Sequence, residues 1–123
     1  MDFLVRALPR LKMLHTWEGG WMEATYDRAR ARGRCQLEVG APFAKIYSDF
    51  GEVNEAPLRQ SWLLDFSKVT GVGQRGTRAI YKVAHDRKLV LGVVATDAEL
   101  AGRIARAIES LRLACMGVPP SKR

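Results

Sequence analysis

Arg28, Arg30, Arg32 and Arg34 alternate with Ala29, Ala31 and Gly33, and the alternation runs on through Cys35, Gln36, Leu37, Glu38 and Val39. In an extended chain successive side chains point to opposite faces, so this pattern puts the four guanidinium groups on one face of a strand. A guanidinium is planar, permanently charged and a forked donor, which suits it to phosphate and carboxylate. A fan of four, joined by Lys45 on the following strand, can hold a multivalent anion. The same stripe would also serve as a solvated edge whose charges discourage sheet-to-sheet aggregation.

Other residues of chemical interest lack partners. Gly71-Val72-Gly73-Gln74-Arg75-Gly76 has the literal spacing G-x-G-x-x-G. A dinucleotide site needs a strand before that motif and a helix after it. Here the following residues, Arg78 to Ala84, alternate like a strand, so Gly71 to Gly76 is expected as a loop and nucleotide binding is not expected. His15 and His85 are the only histidines, 70 positions apart, with no cysteine or carboxylate cluster at ligand spacing. No metal site, cofactor or catalytic triad is therefore expected, and the chain reads as non-enzymatic. Cys35 and Cys115 match no metal or redox spacing. They are expected as small core residues of a cytoplasmic protein, with a disulfide left open.

Composition bounds the rest. The chain has 123 residues, 47% of them hydrophobic, enough for a single domain with its own core. The formal net charge is +7. Residues 1–40 hold 7 basic and 5 acidic groups, residues 41–70 hold 3 and 4, and residues 71–123 hold 10 and 4. The excess favours an acidic partner. No apolar run is long enough for a membrane-spanning helix, and no secretory signal is visible at the N-terminus.

Periodicity places these residues on elements. Residues 1–14 read as an arm or a short helix, with Phe3, Leu4, Ala7, Leu8 and Leu11 on one face and Pro9 disturbing it. His15 to Tyr26 is aromatic and β-prone. Phe43 to Ser48 reads as a strand, Asp49 to Pro57 as a loop, and Gln60 to Phe66 as a strand facing Trp62, Leu64 and Phe66 inward. Arg78 to Ala84 and Arg87 to Ala95 read as a hairpin with Tyr81, Val83, Leu89, Leu91 and Val93 inward. Leu100, Ile104, Ile108, Leu111 and Cys115 form one helical stripe, with Thr96 and Glu99 as a capping box. The fold class is thus mainly β with one C-terminal α-helix. It is expected as a small, partly open antiparallel barrel or sandwich of six to seven strands capped by the helix.

The segments Glu18-Gly19-Gly20-Trp21-Met22-Glu23, Leu64-Asp65-Phe66-Ser67-Lys68-Val69, Ile80-Tyr81-Lys82-Val83 and the helix from Thr96 to Leu111 together resemble the pleckstrin homology (PH) domain. The resemblance covers roughly residues 18–114. It implies a PH-like domain over residues 15–116 and a flexible tail over 117–123. Two regions depart from the family pattern. Ile104 and Ile108 occupy the part of the helix where the family usually has a tryptophan. Ala24 and Thr25 stand where phosphoinositide-binding members carry a lysine late in the first strand.

The resemblance implies an interaction module, an adaptor or scaffold, rather than an enzyme. The missing lysine points to a protein or cytoskeletal partner in the cytoplasm. Acidic phospholipid is the alternative ligand, held by Arg28, Arg30, Arg32, Arg34 and Lys45. In related folds a peptide adds as a strand beside the C-terminal helix. The corresponding groove would be lined by Arg78, Ile80, Lys82, Arg103 and Arg106. Nucleic acid is not expected: Trp17 and Trp21 lie near the arginines, but no paired aromatic signature on adjacent central strands is present. A rival architecture, a roadblock/longin-like dimerisation scaffold, would need a helix of two or more turns within residues 41–60.

Overall fold

The structure is a computed structural model and describes residues 1–51, 53–56 and 60–117. It opens with a short helix, α1 (Asp2–Ala7), followed by β1 (Lys12–Trp17), β2 (Gly20–Thr25), β3 (Arg28–Ala31), β4 (Gln36–Ala41), β5 (Ala44–Ser48), β6 (Val53–Ala56) and β7 (Gln60–Asp65). A 3₁₀ turn, Phe66–Lys68, leads into β8 (Val69–Arg75), β9 (Arg78–Val83), β10 (Asp86–Val94) and the long helix α2 (Ala98–Cys115). Seven strands form one antiparallel sheet in the order β6-β5-β2-β1-β10-β9-β8, and three form a second in the order β3-β4-β7. The mainly β class with a capping C-terminal helix is therefore present.

The strands are shorter and more numerous than expected, and each difference has a local cause. The β-prone stretch from His15 to Tyr26 is two strands hinged at Glu18-Gly19, where Gly19 takes a φ of 94° that its missing side chain permits. The loop expected over Asp49 to Pro57 contains β6, paired with β5. A peripheral strand needs no apolar alternation to pair, so its polar sequence hid it; Pro57 lies outside the described residues. Gly71 to Gly76 is not a loop: β8 runs through it to Arg75 and pairs along β9. Two glycines weaken the strand pattern there, and tertiary pairing overrides it. The mid-chain helix required by the rival scaffold is absent among the described residues, where β5 and β6 stand instead.

α1 stops at Ala7, just ahead of Pro9, and Arg10 turns the chain at a φ of 79°. Leu4, Leu8 and Leu11 enter the same core as the strands, so the first residues help build the domain. α2 packs on β8, β9 and the 3₁₀ turn, and buries Ala101, Ile104, Ala105, Ile108 and Cys115. Its cap is Asp97 rather than Thr96: the carboxylate accepts a hydrogen bond from Leu100 N at 2.7 Å. An anionic cap also meets the positive end of the helix dipole, an advantage threonine lacks.

The cysteines are not separate core residues. Cys35 and Cys115 form a disulfide across 80 positions, both 2% exposed. The bond ties the turn before β4 to the last turn of α2.

Candidate functional site

The arginine stripe does not lie along one strand. β3 ends at Ala31, and Arg32 to Cys35 form the hairpin turn, closed by Arg32 N donating to Gln36 O at 2.9 Å. Period-2 alternation simply ran across the turn. The arginines are also met by acidic groups. Arg28 lies 3.0 Å from the Asp27 carboxylate, and its other nitrogen donates to Gln60 O at 3.2 Å. Glu38, opposite Arg30 in the β3–β4 register, takes both Arg30 at 3.6 Å and Arg32 at 3.1 Å. Two carboxylates against four guanidinium groups leave an excess of two positive charges on this hairpin. Arg28 crosses Gly40, whose missing Cβ leaves the room its guanidinium occupies.

Lys45 does not join the arginines. It sits in the other sheet on β5, directly opposite Glu23, and Glu23 in turn holds Lys12 at 3.3 Å. Trp21 stacks on Tyr47 with ring centroids 4.9 Å apart, which commits one aromatic face to the protein itself.

The groove expected between β9 and α2 is occupied. β9 has β10 on one side and β8 on the other, so Arg78, Ile80 and Lys82 do not border an open edge. β8 is the last strand of that sheet among the described residues, and α2 packs against it. Gln74 fastens the two, donating to Ala98 O at 2.6 Å at the start of the helix. Thr70, Gly73, Gln74 and Arg75 on β8 are exposed, as are Arg103 and Arg106 on α2. Arg103 lies over the Phe3 ring at 4.7 Å. The six-residue motif Gly71 to Gly76 runs into a turn and then β9, with no helix to receive a phosphate.

A further concave feature was not expected. Between β7 of the small sheet and β8, β9, β10 and β1 of the large one lies a cavity of about 340 Å³. Trp62, Leu64, Phe66, Val69, Val83, Leu89 and Leu91 make it apolar. His15 and Tyr81 also line it, at 8% and 2% exposure. The only sequence signal was phase. Leu11, Met13 and His15 alternate inward from Lys12 onwards, a pattern masked when Leu11 is counted on a helical face. Burial lowers the His15 pKa from 6.5 to about 4, and burial pushes the Tyr81 phenol up.

The fold and these surfaces define a small two-sheet β-protein capped by a helix, with no helix among the described residues long and apolar enough to cross a membrane. Compared with protein-family models, curated proteins and solved structures, the chain matches none.

Proposed function

We propose that the chain is a non-enzymatic, PH-like interaction module that takes an extended, acidic segment of a protein partner along the edge of β8, the last strand of its sheet among the described residues. The observation that carries this reading is the position of β8 at the end of the seven-stranded sheet. An edge strand presents alternate N–H and C=O groups that a peptide can pair with, and main-chain pairing then supplies affinity. On this reading the proposed peptide site moves by one strand, from β9 to β8.

Charge selects the occupant. Arg75, Arg78 and Lys82 stand on the last strands, and Arg103 and Arg106 on the exposed side of α2. The segment from residue 71 onwards carries most of the positive excess, 10 basic against 4 acidic groups. An acidic strand would be steered to this edge, and a basic one repelled. The irregularity between Val69 and Gly71 and the surrounding charges discourage pairing with a second copy of the chain. The order of hairpin strands followed by one amphipathic helix supports the PH-like reading. The Cys35–Cys115 bond weighs against the reducing cytoplasm as the working compartment, because such bonds persist in oxidising surroundings.

The test uses an acetylated peptide alternating glutamate and valine. Amide chemical-shift changes are expected in residues 69–76 and 98–106. Binding should weaken by about tenfold or more in Arg75→Glu/Arg103→Glu, as expected when complementary charges are reversed. Shifts confined to residues 28–38, or equal binding by the variant, would overturn the reading.

A further inference from the structure

His15, Leu91 and Tyr81 stand in one row across three neighbouring strands. His15 is opposite Leu91 in the β1–β10 register, and Leu91 is opposite Tyr81 in the β10–β9 register. Directly opposed residues in antiparallel strands share a face. The two outer members of the row are polar and the middle one is apolar. With strands about 4.8 Å apart, His15 and Tyr81 start about 10 Å from each other and flank the floor of the cavity.

Both are more than nine-tenths buried, and His15 Nε2 and Tyr81 Oη have no hydrogen-bond partner among the described residues. A buried polar atom left unpaired costs about 1–3 kcal/mol, so native interiors rarely keep two facing the same cavity without a partner. The wall opposite is aromatic and aliphatic: Trp62 meets the His15 ring edge-on at 6.4 Å, beside Leu64 and Phe66. The half-buried Leu89 and the exposed Leu63 continue this apolar lining outward. Asp65 and Lys68 lie on the rim with opposite charges, so the rim does not select a charged ligand.

We propose that this cavity is a binding site for a small, uncharged, mostly apolar molecule bearing a hydroxyl or carbonyl group, with His15 Nε2 and Tyr81 Oη as its polar anchors. The volume falls in the usual range for small-molecule sites, and so does the chemistry: apolar walls with a few converging polar groups. Neutrality follows from the interior. A charged group would be stripped of water among leucines, valines and aromatic rings, where the penalty is large and no buried countercharge stands ready. His15 itself is held neutral there, so it offers a hydrogen bond rather than a charge. This site meets β8 only through the buried Val69 and stands whether or not the exposed edge beyond it binds a peptide.

The probe is 1-naphthol, with naphthalene and 1-naphthoate as controls for the hydroxyl and for charge. Titration by isothermal calorimetry and by NMR at neutral pH is expected to give saturable 1-naphthol binding, with shifts at His15, Tyr81 and Leu89. Naphthalene and 1-naphthoate should each bind about tenfold more weakly, the first for want of a hydrogen bond and the second for its charge. Tyr81→Phe keeps the ring and should shrink the preference for 1-naphthol over naphthalene several-fold. Leu89→Trp fills the cavity from a half-buried lining position and should abolish binding in a protein whose thermal unfolding stays cooperative. The proposal fails if 1-naphthol does not saturate or if 1-naphthoate binds equally well. It also fails if Tyr81→Phe leaves the preference intact, or if the shifts map to residues 70–76 and α2 instead.

Discussion

Cys35 and Cys115 stand 80 residues apart in the chain, yet their Cα atoms are 5.8 Å apart and their sulfurs are bonded. The bond spans most of the domain: it begins in the β3–β4 turn and ends in the last turn of α2. Closing so long a loop removes freedom mainly from the unfolded chain, an effect typically worth about 2–4 kcal/mol. Reduction, or Cys35→Ala/Cys115→Ala, should lower stability by that amount. Urea unfolding followed by circular dichroism reads it directly. Identical midpoints with and without reductant would show that the bond constrains nothing.

The cap of α2 gives a sharper contrast. Asp97 accepts from Leu100 N, whereas Thr96 precedes the cap. Asp97→Ala should lower stability by about 1 kcal/mol, and Thr96→Ala should leave it nearly unchanged. Thermal unfolding of the two variants side by side decides between the capping residues, and the reverse order would move the helix start back by one residue.

This contrast shows where the chain was legible. The stripe of Ile104, Ile108 and Cys115 recurs at helical spacing, and only one element type buries such a stripe. Trp62, Leu64 and Phe66 alternate cleanly and turn inward on β7 and the turn after it. The arginine stripe misled because a tight turn can preserve alternation in the letters while reversing the chain in space. β8 was hidden by Gly71 and Gly73, whose strand conformation comes from pairing with β9 and not from their own preference. The disulfide and the His15–Tyr81 row were out of reach for another reason. Each depends on which distant strands become neighbours, and one-dimensional periodicity carries no such information.

Arg28 and Gly40 should behave as a coupled pair. The guanidinium lies across the glycine to reach Gln60 O, and a Cβ on residue 40 would collide with it. Gly40→Ala is expected to displace Arg28 and lower stability by about 1 kcal/mol, the usual worth of such a hydrogen bond. In Arg28→Ala the same glycine substitution should be nearly neutral. A double-mutant cycle by urea unfolding measures the coupling. Additive effects would show that the two side-chain positions do not interact.

Glu38 offsets part of the positive charge of the arginine hairpin. It engages Arg30 and Arg32 through exposed ion pairs, which are individually weak and open to competition. Glu38→Gln should therefore raise sedimentation with vesicles containing anionic phospholipid several-fold at low salt, and the gain should vanish at high salt as charges are screened. Arg30→Ala/Arg32→Ala should bind less than wild type. If all three proteins sediment alike, acidic lipid is not a ligand of this hairpin.

His15 makes stability depend on pH in a defined window. Its pKa is about 4 in the folded protein against 6.5 in the unfolded chain, because burial disfavours the imidazolium. The unfolded state therefore binds more protons between these values, and stability rises with pH across them. The contribution is fully present above pH 6.5, is lost progressively as pH falls towards 4, and changes little below that. Its size is at most about 3 kcal/mol. Trp62, Tyr81 and the rim groups Asp65, Lys68, His85 and Gln36 share the cavity, and none supplies a buried carboxylate to hold a charged His15. Other carboxylates also titrate in the acid range, so the decisive comparison is between wild type and His15→Gln. Urea unfolding from pH 7.5 to pH 4 should show a steeper loss in wild type than in the variant. Parallel curves would mean that His15 is hydrated or paired in the folded protein.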